Sequence, residues 1–149
     1  MDNNLTVVIP SFERQNYLIY AIKSCLKYPE IIIIINDNSL KSIIIEDFFD
    51  LPELKRIKYF WNPNKMSVVE NFSRNLEKIN SKYVTFIGDD DALGVGIQEA
   101  LLFMDKNNVE ALTMEPGNTL HYFWEDSFHP IWKNISNTLC YDLNTWNYK

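Results

Sequence analysis

Asp89, Asp90 and Asp91 stand in an unbroken row after the apolar run Tyr83-Val84-Thr85-Phe86-Ile87, with Gly88 between. Three carboxylates on adjacent residues raise one another's proton affinity unless a cation or strong donors offset them. Hard divalent cations prefer such oxygen ligands, so this cluster at the end of a strand-like run points to a metal site. The alternatives are a solvated acidic turn, or a cap on the helix that begins near Gly96. Two other polar stretches follow apolar runs in the same way: Pro10-Ser11-Phe12-Glu13-Arg14 after Leu5 to Ile9, and Asn36-Asp37-Asn38-Ser39 after Ile31 to Ile35.

The elements that must position these stretches are legible as patterns. Leu5 to Ile9 and Ile31 to Ile35 are continuous, rich in β-branched residues, and read as strands covered on both faces, which favours a parallel sheet. Between them Leu18, Ala21, Ile22 and Cys25 recur at helical spacing until Pro29. Ile43 to Phe49 reads as a short helix before Pro52, Arg56 to Trp61 as a third strand, and Asn62-Pro63-Asn64 as a turn. Ser67 to Ile79 is the clearest helical pattern, with Val68, Phe72, Leu76 and Ile79 on one face and Ser67, Asn71, Arg74 and Lys78 on another. Tyr83 to Ile87 is a fourth strand, Ile97, Ala100, Leu101 and Met104 mark another helix, and Val109 to Met114 is a candidate fifth strand. Repeated βα order predicts an α/β fold: a mostly parallel, twisted sheet flanked by helices, with ligands at the carboxyl ends of its strands.

Composition narrows the class. The 149 residues are 46% hydrophobic and 23% charged, enough for one domain with a real core. Fourteen Lys and Arg against twenty Asp and Glu give a net charge of −6, which argues against nucleic acid or an anionic membrane surface as a general partner. Cys25 and Cys140 suggest neither a disulfide framework nor a cysteine metal site, so a reducing cytoplasm is the default. Met1-Asp2-Asn3-Asn4 leads straight into a strand without the features of a signal peptide, and the longest apolar run is far too short for a transmembrane segment.

Taken in order, the three signatures resemble the donor-binding half of family-2 glycosyltransferases, a Rossmann-like GT-A nucleotide-diphospho-sugar transferase fold. The resemblance covers roughly Leu5 to Met114. It implies a nucleotide-diphosphate sugar as donor and a glycan or lipid-linked acceptor. It implies that Pro10, Phe12 and Glu13 belong to the nucleotide loop, with an aromatic face on which a base can stack. Asp37 falls where the family accepts a hydrogen bond from the pyrimidine ring, although Asn36 stands where a second Asp is common. A carboxylate can accept an imide N–H, and Asp, Asn and Ser also simply form turns. Asn62 to Ser81 resembles the segment preceding the acidic motif, with Asn71-Phe72-Ser73-Arg74-Asn75-Leu76 its recognisable part. Lys65, the helix N-terminal amides and Arg74 are the candidates to offset a diphosphate there; a wet helix face is the alternative.

The third signature resembles the family's Asp-any-Asp motif, which holds Mn²⁺ or Mg²⁺ against the donor diphosphate. Matching Ile87 and Leu93 to the flanking apolar positions puts Gly88 at the usual first Asp. Asp90 is then the expected principal ligand, Asp89 lies near ribose or donor sugar, and Asp91 is a further metal or water-mediated contact. A divalent cation would offset the charge that gathers on the leaving nucleotide diphosphate.

The same resemblance marks 1–118 as the nucleotide-sugar-binding domain and 119–149 as an aromatic-rich segment. That segment is expected to be an incomplete acceptor region in a truncated fold. Trp124-Glu125-Asp126 superficially resembles the acidic dipeptide carrying the family's base but lies closer to the triple Asp than the family's spacing, so no catalytic base is assigned. His121 and His129 are expected to be packing or surface residues rather than zinc ligands. The late aromatics are candidates to cover the sheet or join another copy in a homo-oligomer. Two classes of function remain: a metal-dependent transferase of surface polysaccharide or cell-envelope assembly, cytoplasmic and peripheral at the inner membrane face, or a catalytically silent nucleotide-binding module completed by another chain.

Overall fold

The computed structural model describes residues 4–112, and the backbone of residues 123–124 and 130–131. By contacts the chain divides into two compact units, Met1–Glu110 and Ala111–Lys149. In the second, β5 (Phe123–Trp124) pairs antiparallel with β6 (Pro130–Ile131). The other residues of that unit named from the sequence, His121, His129, Cys140 and Glu125-Asp126, lie outside the described residues.

The first unit is an α/β layer structure. Its strands are β1 (Leu5–Ser11), β2 (Ile31–Asp37), β3 (Ile57–Trp61) and β4 (Tyr83–Phe86), all parallel, in the order β3-β2-β1-β4. Helices α1 (Gln15–Leu26), α2 (Leu51–Leu54), α3 (Val68–Ser73) and α4 (Ile97–Asn107) connect and cover them. The two β-branched runs become the central strands, buried along nearly their whole length, whereas β3 and β4 at the edges are only half-buried. Val7, Ile9, Ile31, Ile33 and Ile35 pack with Leu18, Ala21, Ile22 and Cys25 of α1 in one core. Each such aliphatic side chain removed from water contributes roughly 1.5–3 kcal/mol, so this layer dominates the fold's stability. Arg56 then closes the far end of α1, donating to the carbonyls of Tyr28 (2.7 Å) and Leu26 (3.0 Å).

Three expected elements differ. Ile43 to Phe49 holds only a 3₁₀ turn at Ile45–Asp47, and Pro52 does not stop a helix but lies in the first turn of α2, behind the N-cap Asp50, where a missing N–H costs nothing. Val109 to Leu112 is not a strand, and Thr113 and Met114 lie outside the described residues.

The third difference bears on the site. Ser67 to Ile79 is not one helix: α3 ends at Ser73, Arg74 turns extended, Asn75 is left-handed at φ 59°, and a 3₁₀ turn follows at Leu76–Lys78. The break has a cause in β2. The buried Asn36 amide donates to the carbonyls of Asn71 (3.0 Å) and Arg74 (2.9 Å), the acceptors that a continuous helix needs, and its oxygen accepts from Asn75 Nδ2 at 2.8 Å. The apolar stripe is accordingly split, with Phe72 beside Phe86 and Val68 left exposed.

Candidate functional site at the carboxyl ends of β1, β2 and β4

From β1 the chain moves to β2 and β3 on one side and returns to β4 on the other, so the order of strands reverses at β1. In open α/β sheets ligands bind outside the carboxyl ends of the strands at such a reversal. Ser11 ends β1 there, in register with Asp37 of β2, and its hydroxyl donates to Asp89 Oδ2 at 2.9 Å across the reversal. The first and third polar signatures therefore meet, and the second lies one strand over.

The loop Phe12–Arg14 makes hydrogen bonds to both of the others. Phe12 is 59% exposed, an aromatic face turned to solvent, while its N–H donates to Asp89 Oδ2 at 3.4 Å. Glu13 takes a left-handed backbone (φ 56°), unusual for a residue with a Cβ and typical of places where surroundings over-determine the chain. Here they do so twice: the Glu13 N–H donates to Ser39 Oγ at 2.8 Å, and its carboxylate accepts from Leu40 N–H at 2.7 Å. Consecutive side chains then reach to opposite sides. Arg14 Nη1 bonds Asp90 Oδ2 at 2.6 Å and approaches Asp89 Oδ1 at 3.6 Å, whereas Gln15 Nε2 donates to Asp37 Oδ2 at 3.1 Å and also to the Lys41 carbonyl. Asp37 and Asp90 are thus held by neighbouring residues, the first of α1 and the last of the loop before it.

Asp37 has no exposed surface. Its Oδ1 accepts from Ser39 N–H (2.9 Å), and Oδ2 accepts from Tyr59 Oη (2.6 Å) as well as Gln15. Burial, joined by the hydrogen bond to Asp37, pushes the Tyr59 phenol well above its ordinary range, so it stays a donor at any physiological pH. Asn38 secures the neighbouring turn, donating to the carbonyls of Asn62 and Asn64, both at 2.7 Å. Pro10 is buried within β1, opposite Asn36.

The three carboxylates part company. Asp89 is buried, and that desolvation raises its pKa although Ser11 and Phe12 donate to it. Asp90 is half-exposed beneath Arg14. Asp91 folds back, its Oδ2 accepting from Gly88 N–H at 2.9 Å. A Cβ on Gly88 would lie 2.8 Å from Asp91 Oδ2 and 2.9 Å from Asp90 Oδ1, so an aspartate there would displace both carboxylates from their present positions. That is a local reason for glycine where the motif usually begins. The segment beyond is pinned to α1, as Leu93 N–H donates to Ser24 Oγ (2.9 Å) and Tyr28 Oη to the Gly94 carbonyl (3.0 Å).

Arg74 is tied in at one remove. Its Nη1 lies against Met66 Sδ (3.6 Å) and Asn71 Oδ1 (3.3 Å), and Asn71 Nδ2 donates to the Ser11 carbonyl at 3.3 Å. Lys65 is exposed on the connection between β3 and α3, outside this network. The N-terminal amides of α3 offer no anion site: Ser67 and Glu70 form a reciprocal capping box that uses the Glu70 N–H and places a carboxylate at that end. The residues to which the sequence assigns no site role are Ser11, Arg14, Gln15, Asn38, Ser39, Tyr59 and Asn71. Most sit inside the polar signatures, which is the signal that could have found them; Tyr59, in mid-strand, carried none.

Among the described residues no three acidic, histidine or cysteine groups gather into a ready-made metal cage. The half-exposed Asp90 and the buried Asp89 beside it are the residues that would hold a divalent ion if substrate phosphates supplied its other ligands.

Comparison with known proteins agrees with this architecture. The sequence profile described as Glycosyl transferase family 2 matches residues 6–147, and the chain belongs to that family. It is 34% identical over 140 residues to an uncharacterized glycosyltransferase of Rickettsia conorii, covering 87% of this chain and 20% of that protein. It is 33% identical over 120 residues to an uncharacterized glycosyltransferase of Haemophilus influenzae, covering 76% and 46%. Over 105 residues it is 34% identical to the GalNAc(5)-diNAcBac-PP-undecaprenol beta-1,3-glucosyltransferase of Campylobacter jejuni, covering 66% and 33%. The chain therefore spans from a fifth to about half of the length of these relatives. A crystal structure of residues 1–349 of S. aureus TarS superposes with a TM-score of 0.56 at 16% identity, over 72% of this chain and 33% of that one, a likeness of fold. The α/β sheet is that of the GT-A glycosyltransferases.

Among the described residues no helix is long and apolar enough to cross a membrane.

Proposed function

We propose that this chain forms the donor-binding part of a metal-dependent glycosyltransferase that moves a sugar from a nucleotide diphosphate to a glycan or lipid-linked acceptor. The observation that carries this reading is the meeting of three loops at one sheet edge, bridged by Ser11, Arg14 and Gln15. The undecaprenol-linked acceptor named for the Campylobacter relative supports the lipid-linked option; surface-polysaccharide or cell-envelope assembly at the inner face of the membrane is the setting this reading assigns to it.

In this reading Phe12 supplies the stacking face for the base, with Pro10 and the strained Glu13 fixing the loop that presents it. Asp37 takes the imide N–H once the Gln15 amide turns aside, because its carboxylate is otherwise covered. Asp89 keeps Oδ2 on Ser11 and Phe12 and offers Oδ1 to a ribose or sugar hydroxyl. Lys65 and Arg74 bring positive charge to the diphosphate. Asp90, with Asp91 as an outer or water-mediated contact, would hold Mn²⁺ or Mg²⁺. When bound, that ion offsets the negative charge of the departing diphosphate.

Titration calorimetry with UDP, GDP and their sugars, with and without Mn²⁺, tests the reading. Metal-dependent nucleotide binding is the expected result, and release of nucleotide diphosphate only when an acceptor is supplied would show that this chain also carries out the transfer. Binding without release under any acceptor would instead identify a silent module, and no nucleotide binding at all would refute both.

A further inference from the structure

One contact has no place in the scheme above: the guanidinium of Arg14 rests on Asp90, the carboxylate expected to hold the metal ion. Arg14 is the residue before α1, and its carbonyl accepts from Tyr17 and Leu18 N–H, both at 3.0 Å, so its backbone is anchored. Its side chain is 54% exposed, and that of Asp90 45%. An ion pair so open to water is held weakly and is easily exchanged. A dication on Asp90 repels a guanidinium in hydrogen-bond contact with the same carboxylate, less so because the site is open to water. That repulsion favours release of Arg14, and the anion that arrives with the ion is the diphosphate, which a guanidinium grips in bidentate fashion.

We propose that Arg14 is a placeholder cation: it occupies Asp90 in the free protein and passes to the donor diphosphate when metal ion and nucleotide enter, so that the two ligands bind cooperatively. The inference rests on the donor-binding reading and adds a coupling residue to it. The transfer moves no covalent bond; one ion pair is exchanged for another. Its consequence is that metal ion alone binds poorly, and metal and nucleotide each strengthen the other by the same factor.

The test is Mn²⁺ titration of the full chain, followed by electron paramagnetic resonance, with and without UDP. Wild type binds Mn²⁺ weakly alone and more tightly with UDP. Arg14→Gln is expected to bind Mn²⁺ alone roughly two- to fivefold more tightly, from removal of an exposed ion pair that competes with the dication, yet to gain less from UDP than wild type does. Arg14→Lys, which keeps the charge but not the fork, should fall between the two. Unchanged Mn²⁺ affinity in Arg14→Gln without UDP would overturn the proposal, as would an undiminished gain from UDP. Asp90→Asn separates this failure from that of the underlying reading: it should lose Mn²⁺ binding, and if it retains it, Asp90 is not the metal site.

Discussion

Replacement of Asp37 should destabilise the free chain before it tells anything about ligand. The carboxylate is completely buried and accepts three hydrogen bonds, from Ser39 N–H, Tyr59 Oη and Gln15 Nε2. Alanine would leave the Ser39 amide, itself buried, without an acceptor, and would strand the Tyr59 hydroxyl. Gln15 is half-buried and can turn to water at little cost. Counting one buried unsatisfied amide and one lost charge-assisted bond, Asp37→Ala should cost about 3–5 kcal/mol. Asp37→Asn keeps an oxygen for Ser39 but sets an amide donor against two donors, which should cost about 1–2 kcal/mol. Urea unfolding followed by far-ultraviolet circular dichroism measures both, provided the slope with denaturant is unchanged. An Asp37→Ala chain within about 0.5 kcal/mol of wild type, the spread of ordinary surface substitutions, would refute the reasoning, and so would an Asn variant weaker than the Ala variant.

Asn36→Asp removes the donors that interrupt α3 while keeping size, so the chain should lose about 2–3 kcal/mol in the same unfolding assay as a buried carboxylate faces two carbonyls. Burial raises the Asp89 pKa, so its contribution to stability is greatest below the ordinary carboxylate value and is lost as pH rises through the raised one. Asp89→Asn lacks that titration; its stability relative to wild type should therefore be higher at pH 7 than at pH 4, and a pH-independent difference would contradict the assignment. The Cys25 thiol, pushed up to about 12 by burial, should resist alkylation at pH 8 in a Cys140→Ser chain until urea unfolds it. Labelling at the rate of a free thiol under native conditions would show that α1 opens far more readily than its packing implies.

The central strands were readable because their burial is written in consecutive residues: a run such as Ile31 to Ile35 has few other ways to hide. The polar signatures were readable as a set because each follows a strand. What escaped the sequence is long-range. The break in α3 depends on Asn36, thirty-five or more positions earlier, taking two helical carbonyls, and no periodicity within Ser67 to Ile79 reports that. In the sequence Asn36 stands out only as a departure from the family's paired acids, and that departure supplies the donors of the contact. Likewise the different fates of Asp89, Asp90 and Asp91 are set by Ser11, Arg14 and Gly88, so three residues of one type in a row acquire one buried, one paired and one turn-closing carboxylate. Lys65 and the α3 amides looked alike as sources of positive potential; the capping box, spelled Ser67-Val68-Val69-Glu70, was the local signal that the amides were already used.

The most direct test of the central claim, that loops from three strand ends hold a nucleotide diphosphate around a divalent ion, is paramagnetic broadening of backbone amide signals by Mn²⁺ in the presence of UDP. The amides of Ser11–Arg14 and Gly88–Asp91 should broaden first, and replacement of Mn²⁺ by Mg²⁺ should restore them. Broadening centred elsewhere, for example at Asp105, or the same pattern in Asp90→Asn, would contradict it.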